Sequence, residues 1–259
     1  MIGVFDSGLG GLSIWRELEA LLPNAPIVYL ADQAHLPYGE RPAEEVQQLA
    51  LRCTRWLIER GCTTVVVACN TASADALELL RQTFPNTPFV GVEPAIKPAA
   101  QRTRSGVVGV LATTATLRSA RFQRLVAQWS KGAQVLTQPC PTWVQLVEEG
   151  LRDPRLGDHV QRCLMPLVER NADTFVIACT HFSFLASWIH EALTALAPGR
   201  DCAVIDPALA VARQVARVHA PPAVSERLRQ FWTTGDPVAL SRTASFLLGR
   251  PIKAYHAAL

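Results

Sequence analysis

Apolar and polar positions along this chain follow two alternating patterns. Short runs of aliphatic and β-branched residues are each followed by a stretch in which apolar residues recur every three or four positions. IGVF (2–5) leads through a glycine-rich turn to SIWRELEALL (13–22), and PIVYLAD (26–32) through a polar loop to EEVQQLALRCTRWLIERG (44–61). TTVVVAC (63–69) precedes SADALELLRQTF (73–84), and PFVGVEP (88–94) is a further run. In the second half, GVVGVLAT (106–113) precedes TLRSARFQRLVAQW (116–129), and ADTFVIAC (172–179) precedes HFSFLASWIHEAL (181–193). CAVIDP (202–207) then leads into ALAVARQVARV (208–218). A strand covered on both faces needs apolar residues at every position, because its side chains enter two cores in turn. Runs of this kind separated by helices predict an α/β fold with mostly parallel sheets.

The pattern contains an internal echo. VVVACNTA (65–72) resembles FVIACTHF (175–182), and GVFDSG (3–8) has a fainter counterpart in GVLATT (109–114). Two like units predict two similar α/β lobes facing one another. Pro94, Lys97 and Pro98, followed by QRTRSG (101–106), mark one crossover, and a second near Asp206 returns the chain to the first lobe.

Composition narrows the class. The 259 residues are 49% hydrophobic and 18% charged, which supplies a core and excludes disorder as the dominant state. The net charge of +3 comes from scattered residues, not from the basic stripe of a nucleic-acid binder. No run approaches the roughly 20 apolar residues of a membrane helix. MIGVFDSG lacks the basic and apolar regions of a signal peptide. A soluble, cytoplasmic protein with neither nucleic acid nor membrane as partner is expected. Its seven cysteines are odd in number and contain no CxxC pair, so neither a disulfide framework nor a zinc site is expected. Only Lys97, Lys131 and Lys253 are present to anchor a pyridoxal phosphate.

In open α/β sheets, ligands bind beyond the carboxyl ends of the strands. Asp6-Ser7, Cys69-Asn70-Thr71, Thr113 and Cys179-Thr180-His181 all fall at such ends, with helices expected to begin at once after them. A helix N-terminus lowers a thiol pKa from about 8.5 toward neutrality, so Cys69 and Cys179 are expected as working acids or bases. By default, most of the cysteines read as small buried hydrophobes. His181 is placed to hold the Cys179 sulfur. Asp6 is placed to orient a neighbouring acid or base, with a helix N-cap as its alternative role. SGLGGLS (7–13) matches neither G-x-G-x-x-G nor the P-loop; tight-turn glycines beneath a small anionic ligand account for it as well.

Taken together, GVFDSGLGGLS (3–13), PYGER (37–41), ACNTAS (68–73), GVEPA (91–95), GVLATTAT (109–116), LVEEG (146–150) and ACTHF (178–182) resemble the bacterial glutamate racemases. The motifs stand in that family's order and span residues 3 to about 210. The resemblance implies two pseudo-symmetric lobes, 1–95 plus 206–259 and 96–205, with glutamate between them. It implies a cofactor-independent, two-base racemase without metal that supplies D-glutamate for peptidoglycan, with a homodimer as a candidate assembly. Cys69 and Cys179 match the catalytic pair: the first takes the proton of D-glutamate, the second that of L-glutamate. Asp6 would assist Cys69 and His181 would assist Cys179, while Asp32 and Glu148 match supporting acidic positions. Asp6, Ser7, Tyr38, Gly39, Asn70, Thr71, Thr180 and His181 match substrate-contacting positions, with Thr113 and Thr116 behind them.

Some residues depart from the family pattern. Ser183-Phe184 replaces Pro-Leu, which bears on how the helix after Cys179 starts, and Asp206-Pro207-Ala208 replaces Asp-Ser-Gly at the crossover. Glu148 and Glu149 both follow LV in one helical stretch, and either can face the site. An aspartate racemase is the nearest alternative, but those enzymes typically carry Cys-Thr-Glu where this chain has Cys-Thr-His. A nucleotide-binding module would use the glycine-rich loop and leave the paired cysteines without a role. A thiol redox protein would require the two cysteines to lie close enough to bridge. Racemisation itself calls for two groups, because one base cannot easily serve both faces of the α-carbon. Acid–base catalysis contributes about 10²–10⁴-fold, so donors around the developing charge and exclusion of water must add to it.

Overall fold

In the computed structural model, which describes residues 1–220 and 228–259, every apolar run becomes a parallel strand. The first half reads β1 (Ile2–Asp6), α1 (Leu12–Leu21), β2 (Ile27–Ala31), α2 (Ala43–Glu59), β3 (Thr64–Val67), α3 (Asn70–Asp75), α4 (Leu77–Thr83) and β4 (Phe89–Gly91). Then follow α5 (Ile96–Arg102), β5 (Val107–Ala112), α6 (Thr114–Arg118), α7 (Ala120–Trp129), β6 (Gln134–Pro139), α8 (Thr142–Glu148) and α9 (Leu156–Glu169). The chain continues through β7 (Thr174–Ala178), α10 (Ala186–Leu196), β8 (Ala203–Ile205), α11 (Ala208–Val218), β9 (Arg229–Thr233), α12 (Pro237–Leu248) and β10 (Ala254–His256). Short 3₁₀ turns occupy Gln33–His35, Tyr38–Glu40 and Thr180–Leu185.

The strands form two sheets, ordered β10-β9-β2-β1-β3-β4 and β6-β5-β7-β8. The segments β2-β1-β3-β4 and β6-β5-β7-β8 share one topology, so the sequence echo is a structural repeat. Side chains alternate between two cores in each sheet. Val4 and Val66 enter one core of the larger sheet and Phe5 and Val65 the other. In the smaller sheet, Leu111 and Ile177 face one core and Val110 and Val176 the opposite one. The ends of β1, β3, β5 and β7 lie at the centres of their sheets, where the strand order reverses and a crevice opens. Asp6, Cys69, Thr113 and Cys179 stand there. Among the described residues, no helix is long and apolar enough to cross a membrane.

Several local expectations are corrected. The helix expected over 73–84 breaks at Ala76, and that over 116–129 breaks at Ser119, whose hydroxyl accepts from Phe122 N and caps a new helix. The crossover at Pro94–Gly106 contains α5; Pro98 sits in its first turn, where a missing N–H leaves no hydrogen bond unmade. No helix begins directly after Asp6, since a glycine turn intervenes before Leu12. After Cys179 the chain runs as a 3₁₀ helix through Ser183 and Phe184 and becomes α-helical only at Ala186. Asp206 retains a capping role, its Oδ1 accepting from Ala208 N at 2.9 Å.

Candidate active site

Cys69 and Cys179 occupy matching positions, the second residue beyond β3 and the first beyond β7. Both are free thiols, 7% and 6% exposed, and both wall one cavity of about 20 Å³ between the lobes. That volume holds about one water molecule. The first lobe contributes Ser7, Pro37, Tyr38, Gly39, Asn70 and Thr71 to the wall, and the second Thr113, Val144, Thr180 and His181. Asn70, the first residue of α3, is buried, and neither its amide nitrogen nor its oxygen has a partner among the described residues. A buried amide open at both atoms is matched by a ligand bearing both an acceptor and a donor.

The electrostatics of the two thiols differ. Cys69 caps α3, its sulfur accepting from Ala72 N at 3.5 Å, as a helix N-terminus predicts. Its pKa nevertheless does not fall. Burial and then the Asp6 charge push it up to about 12, against the Ala72 N–H and the Ser7 hydroxyl. A helix dipole contributes typically 0.3–1 kcal/mol, less than one pKa unit, whereas burial can supply 3–5 units. Burial therefore wins, and the expectation of a thiol lowered toward neutrality is corrected at Cys69.

On the other side, His181 Nδ1 lies 4.0 Å from the Cys179 sulfur and Nε2 lies 2.7 Å from Glu148 Oε1. Burial alone would lower the imidazole pKa. Hydrogen bonds to Cys179 and Glu148, with the charges of Asp6 and Glu148, override it and raise His181 well above 6.5. The ring therefore holds its second proton more tightly than a free imidazole does. Asp6 is fully buried, and burial raises its pKa despite the opposing charge of His181 and the N–H of Gly8.

The glycine-rich turn serves this arrangement by leaving space. A Cβ on Gly8 would overlap the Glu148 carboxylate, and one on Gly10 would overlap the His181 ring and stand 2.6 Å from Thr180 Oγ1. Leu9 N, in the same turn, donates to Glu148 Oε1 at 2.6 Å. The glycines therefore admit side chains of the opposite lobe, a role that the reading of a cradle beneath a small anion did not include. The model for the Asp/Glu/hydantoin racemases matches residues 3–215, a span that carries all of these groups.

The chain belongs to the Asp/Glu/hydantoin racemase family.

Within it, the chain is 44% identical over 255 residues to a glutamate racemase of Pseudomonas aeruginosa, covering 96% of this chain and 94% of that one. Its fold superposes on the Bacillus anthracis glutamate racemase isoform RacE1 with a TM-score of 0.87 at 30% identity, over 100% of this chain and 97% of that one. It superposes on the Escherichia coli glutamate racemase, solved with L-glutamate and the activator UDP-MurNAc-Ala, with a TM-score of 0.85 at 32% identity, over 98% and 96%.

Against this racemase framework, most residues singled out from sequence converge on the cavity. Four do not line it. Asp6 and Glu148 stand one layer behind, against Thr180 and His181. Thr116 accepts from Thr113 Oγ1 at 3.0 Å, and Asp32 accepts from Tyr38 Oη at 2.6 Å, so each holds a wall residue. Asp32 also accepts from His35 Nδ1 at 2.8 Å and Thr234 Oγ1 at 2.7 Å. Of the two neighbouring glutamates, Glu148 faces the site and Glu149 lies exposed beside Gln145. Pro37 and Val144 are wall residues that sequence reasoning missed. Their signals were present: Pro37 opens PYGER, and Val144 precedes Glu148 by one helical turn.

Proposed function

We propose that this chain interconverts L- and D-glutamate with Cys69 and Cys179 as the two acid–base groups. The observation that carries the reading is a matched pair of free, buried cysteines from repeated strand ends, walling one cavity. In the L-to-D direction, the Cys179 thiolate takes the α-proton, so that the Cα–H bond breaks and an S–H bond forms. The Cys69 thiol then delivers its proton to the opposite face of the α-carbon and is left as a thiolate. The D-to-L direction runs the same steps in reverse. The high proton affinity of Cys69 suits the donor role, and the His181 imidazolium supplies positive charge beside Cys179. Asn70, Thr71, Thr180 and Ser7 offer the neutral donors and acceptors that meet the carboxylates and ammonium of an amino acid. Asp6 and Glu148 act through their neighbours, and Asp32 and Thr116 act by holding Tyr38 and Thr113.

In this reading, residues 1–95 with 206–259 and residues 96–205 move as two lobes. A cavity of about 20 Å³ is too small for glutamate, so the lobes part to exchange substrate and close to exclude water. A wider pocket of about 750 Å³ shares Pro37, Gly39, Thr113 and Val144 with the cavity and forms the approach to it. No pyridoxal phosphate or metal takes part: Lys97, the lysine nearest a motif, lies over the Trp129 ring at 4.3 Å and away from the cysteines. The enzyme is expected in the cytoplasm, supplying D-glutamate for peptidoglycan, with a homodimer as the candidate assembly. The deciding experiment is circular dichroism of L-glutamate incubated with the pure protein alone. Loss of ellipticity toward zero supports the reading, and a constant signal ends it. Light scattering of the same sample reads the assembly.

A further inference from the structure

Glu148 is held by three donors, and one of them has been given no role so far. Oε1 accepts from Leu9 N and from His181 Nε2, while Oε2 accepts from Gln33 Nε2 at 2.7 Å. Gln33 lies outside the cavity, in the turn between β2 and Tyr38. Its amide has two ends of different chemistry, and only the nitrogen end can serve a carboxylate. What turns that end toward Glu148 is a relay from the end of β9 in the larger sheet. The N–H of Gly235 can only donate, and it donates to Thr233 Oγ1 at 3.0 Å. The Thr233 hydroxyl hydrogen is thereby left to point at Gln33 Oε1, also at 3.0 Å. With its oxygen engaged, Gln33 presents its NH₂ to Glu148. Thr233 is fully buried, so no water competes for either bond.

We propose that Gln33 is a positioning residue for the Glu148–His181 pair, oriented by Thr233. This rests on the racemase reading above. The relay runs Thr233, Gln33, Glu148, His181, Cys179, and it joins the C-terminal segment of the first lobe to the base of the second. Gln33 thus fixes the Glu148 carboxylate in the orientation that meets His181 Nε2. The charged and titratable groups that face this pair are Asp6 and Cys179 beside His181, and Asp6 and Tyr29 near Glu148.

The test compares the wild type with Gln33→Leu, Gln33→Glu and Thr233→Val, measuring kcat and KM for both enantiomers across pH, with a melt of each variant. For Gln33→Leu, kcat is expected to fall by about 10- to 100-fold, the scale of a catalytic group displaced by a fraction of an ångström to 1 Å, with KM little changed. The acidic limb of the profile should move to higher pH, because the Glu148–His181 pair loses one of the donors that hold it. Thr233→Val should move it the same way by less. Gln33→Glu should move it further, since two facing carboxylates retain a proton. Proton NMR of the His181 Nε2–H, which needs no turnover, should show its resonance displaced in Gln33→Leu. An acidic limb and an Nε2–H resonance both unmoved from the wild type would overturn the inference, as would a loss confined to KM. A wild type that leaves glutamate unchanged would instead sink the proposed function, while the resonance still decides the role of Gln33.

Discussion

The hydroxyl of Thr180 donates to Asp6 Oδ2 at 3.1 Å, across the cleft. Thr180 directly follows one candidate base, and Asp6 raises the proton affinity of the other. The two halves of the site are therefore in electrostatic contact when the lobes are closed. Parting them would break this bond together with those from Leu9 and Gln33 to Glu148.

Asp6 should cost stability in return for its role. Its folded-state pKa is raised, so the folded chain holds this proton more tightly than the unfolded one does. Stability then falls as pH rises above the unfolded value, about 3.9, through the folded one. Asp6→Asn, which does not titrate, should melt higher than the wild type at neutral pH, by about 2–4 °C for each kcal/mol relieved. Racemisation should drop by about 10²-fold, the lower end of what a proton-transfer group supplies. A variant that melts lower at neutral pH would show that the attraction to His181 outweighs burial.

His181, also raised, contributes where Asp6 costs. A base with a raised folded pKa adds stability that is fully present below the unfolded value, about 6.5, and is lost as pH rises through the folded value. The wild type should therefore melt above His181→Gln by the widest margin near about pH 6, with the margin closing in alkali. Differential scanning calorimetry over that range reads it, and a margin constant with pH would show that the ring is neutral.

The two thiols should leave a handed signature. Cys69→Ala and Cys179→Ala each remove one of two required groups, so neither should racemise glutamate. In deuterium oxide, Cys69→Ala should still exchange the α-proton of L-glutamate slowly, and Cys179→Ala that of D-glutamate. Residues acting as a unit are not additive, so the residual rates will be small. Proton NMR of each variant with each enantiomer decides it; racemisation by either variant removes its cysteine from the mechanism.

Gly8 and Gly10 separate two roles for the glycine turn. If the turn exists to admit Glu148 and His181, Gly8→Ala should displace the Glu148 carboxylate and lower kcat by about 10²-fold with the fold intact. If it cradled the substrate instead, KM would rise and kcat would hold. Steady-state kinetics with a circular dichroism spectrum of the variant distinguish the two.

The sequence by itself determined seven of the ten described strands with the helices that follow most of them, the repeat, and the placing of Asp6, Cys69, Thr113 and Cys179 at strand ends. These follow from periodicity and from the chemistry of single residues, which are local. β6 and β9 escaped that reading because they mix polar and apolar residues on half-covered strands, and β10 because two of its three residues, Tyr255 and His256, are exposed and form no apolar run. Tertiary structure alone decided that Glu148 and not Glu149 faces the site, because adjacent helical residues point about 100° apart and only the facing lobe distinguishes them. It decided that burial overrides the helix N-terminus at Cys69, since depth depends on what covers the strand end. It also brought Gln33 and Thr233 to Glu148, through contacts between residues remote in sequence that no local pattern records.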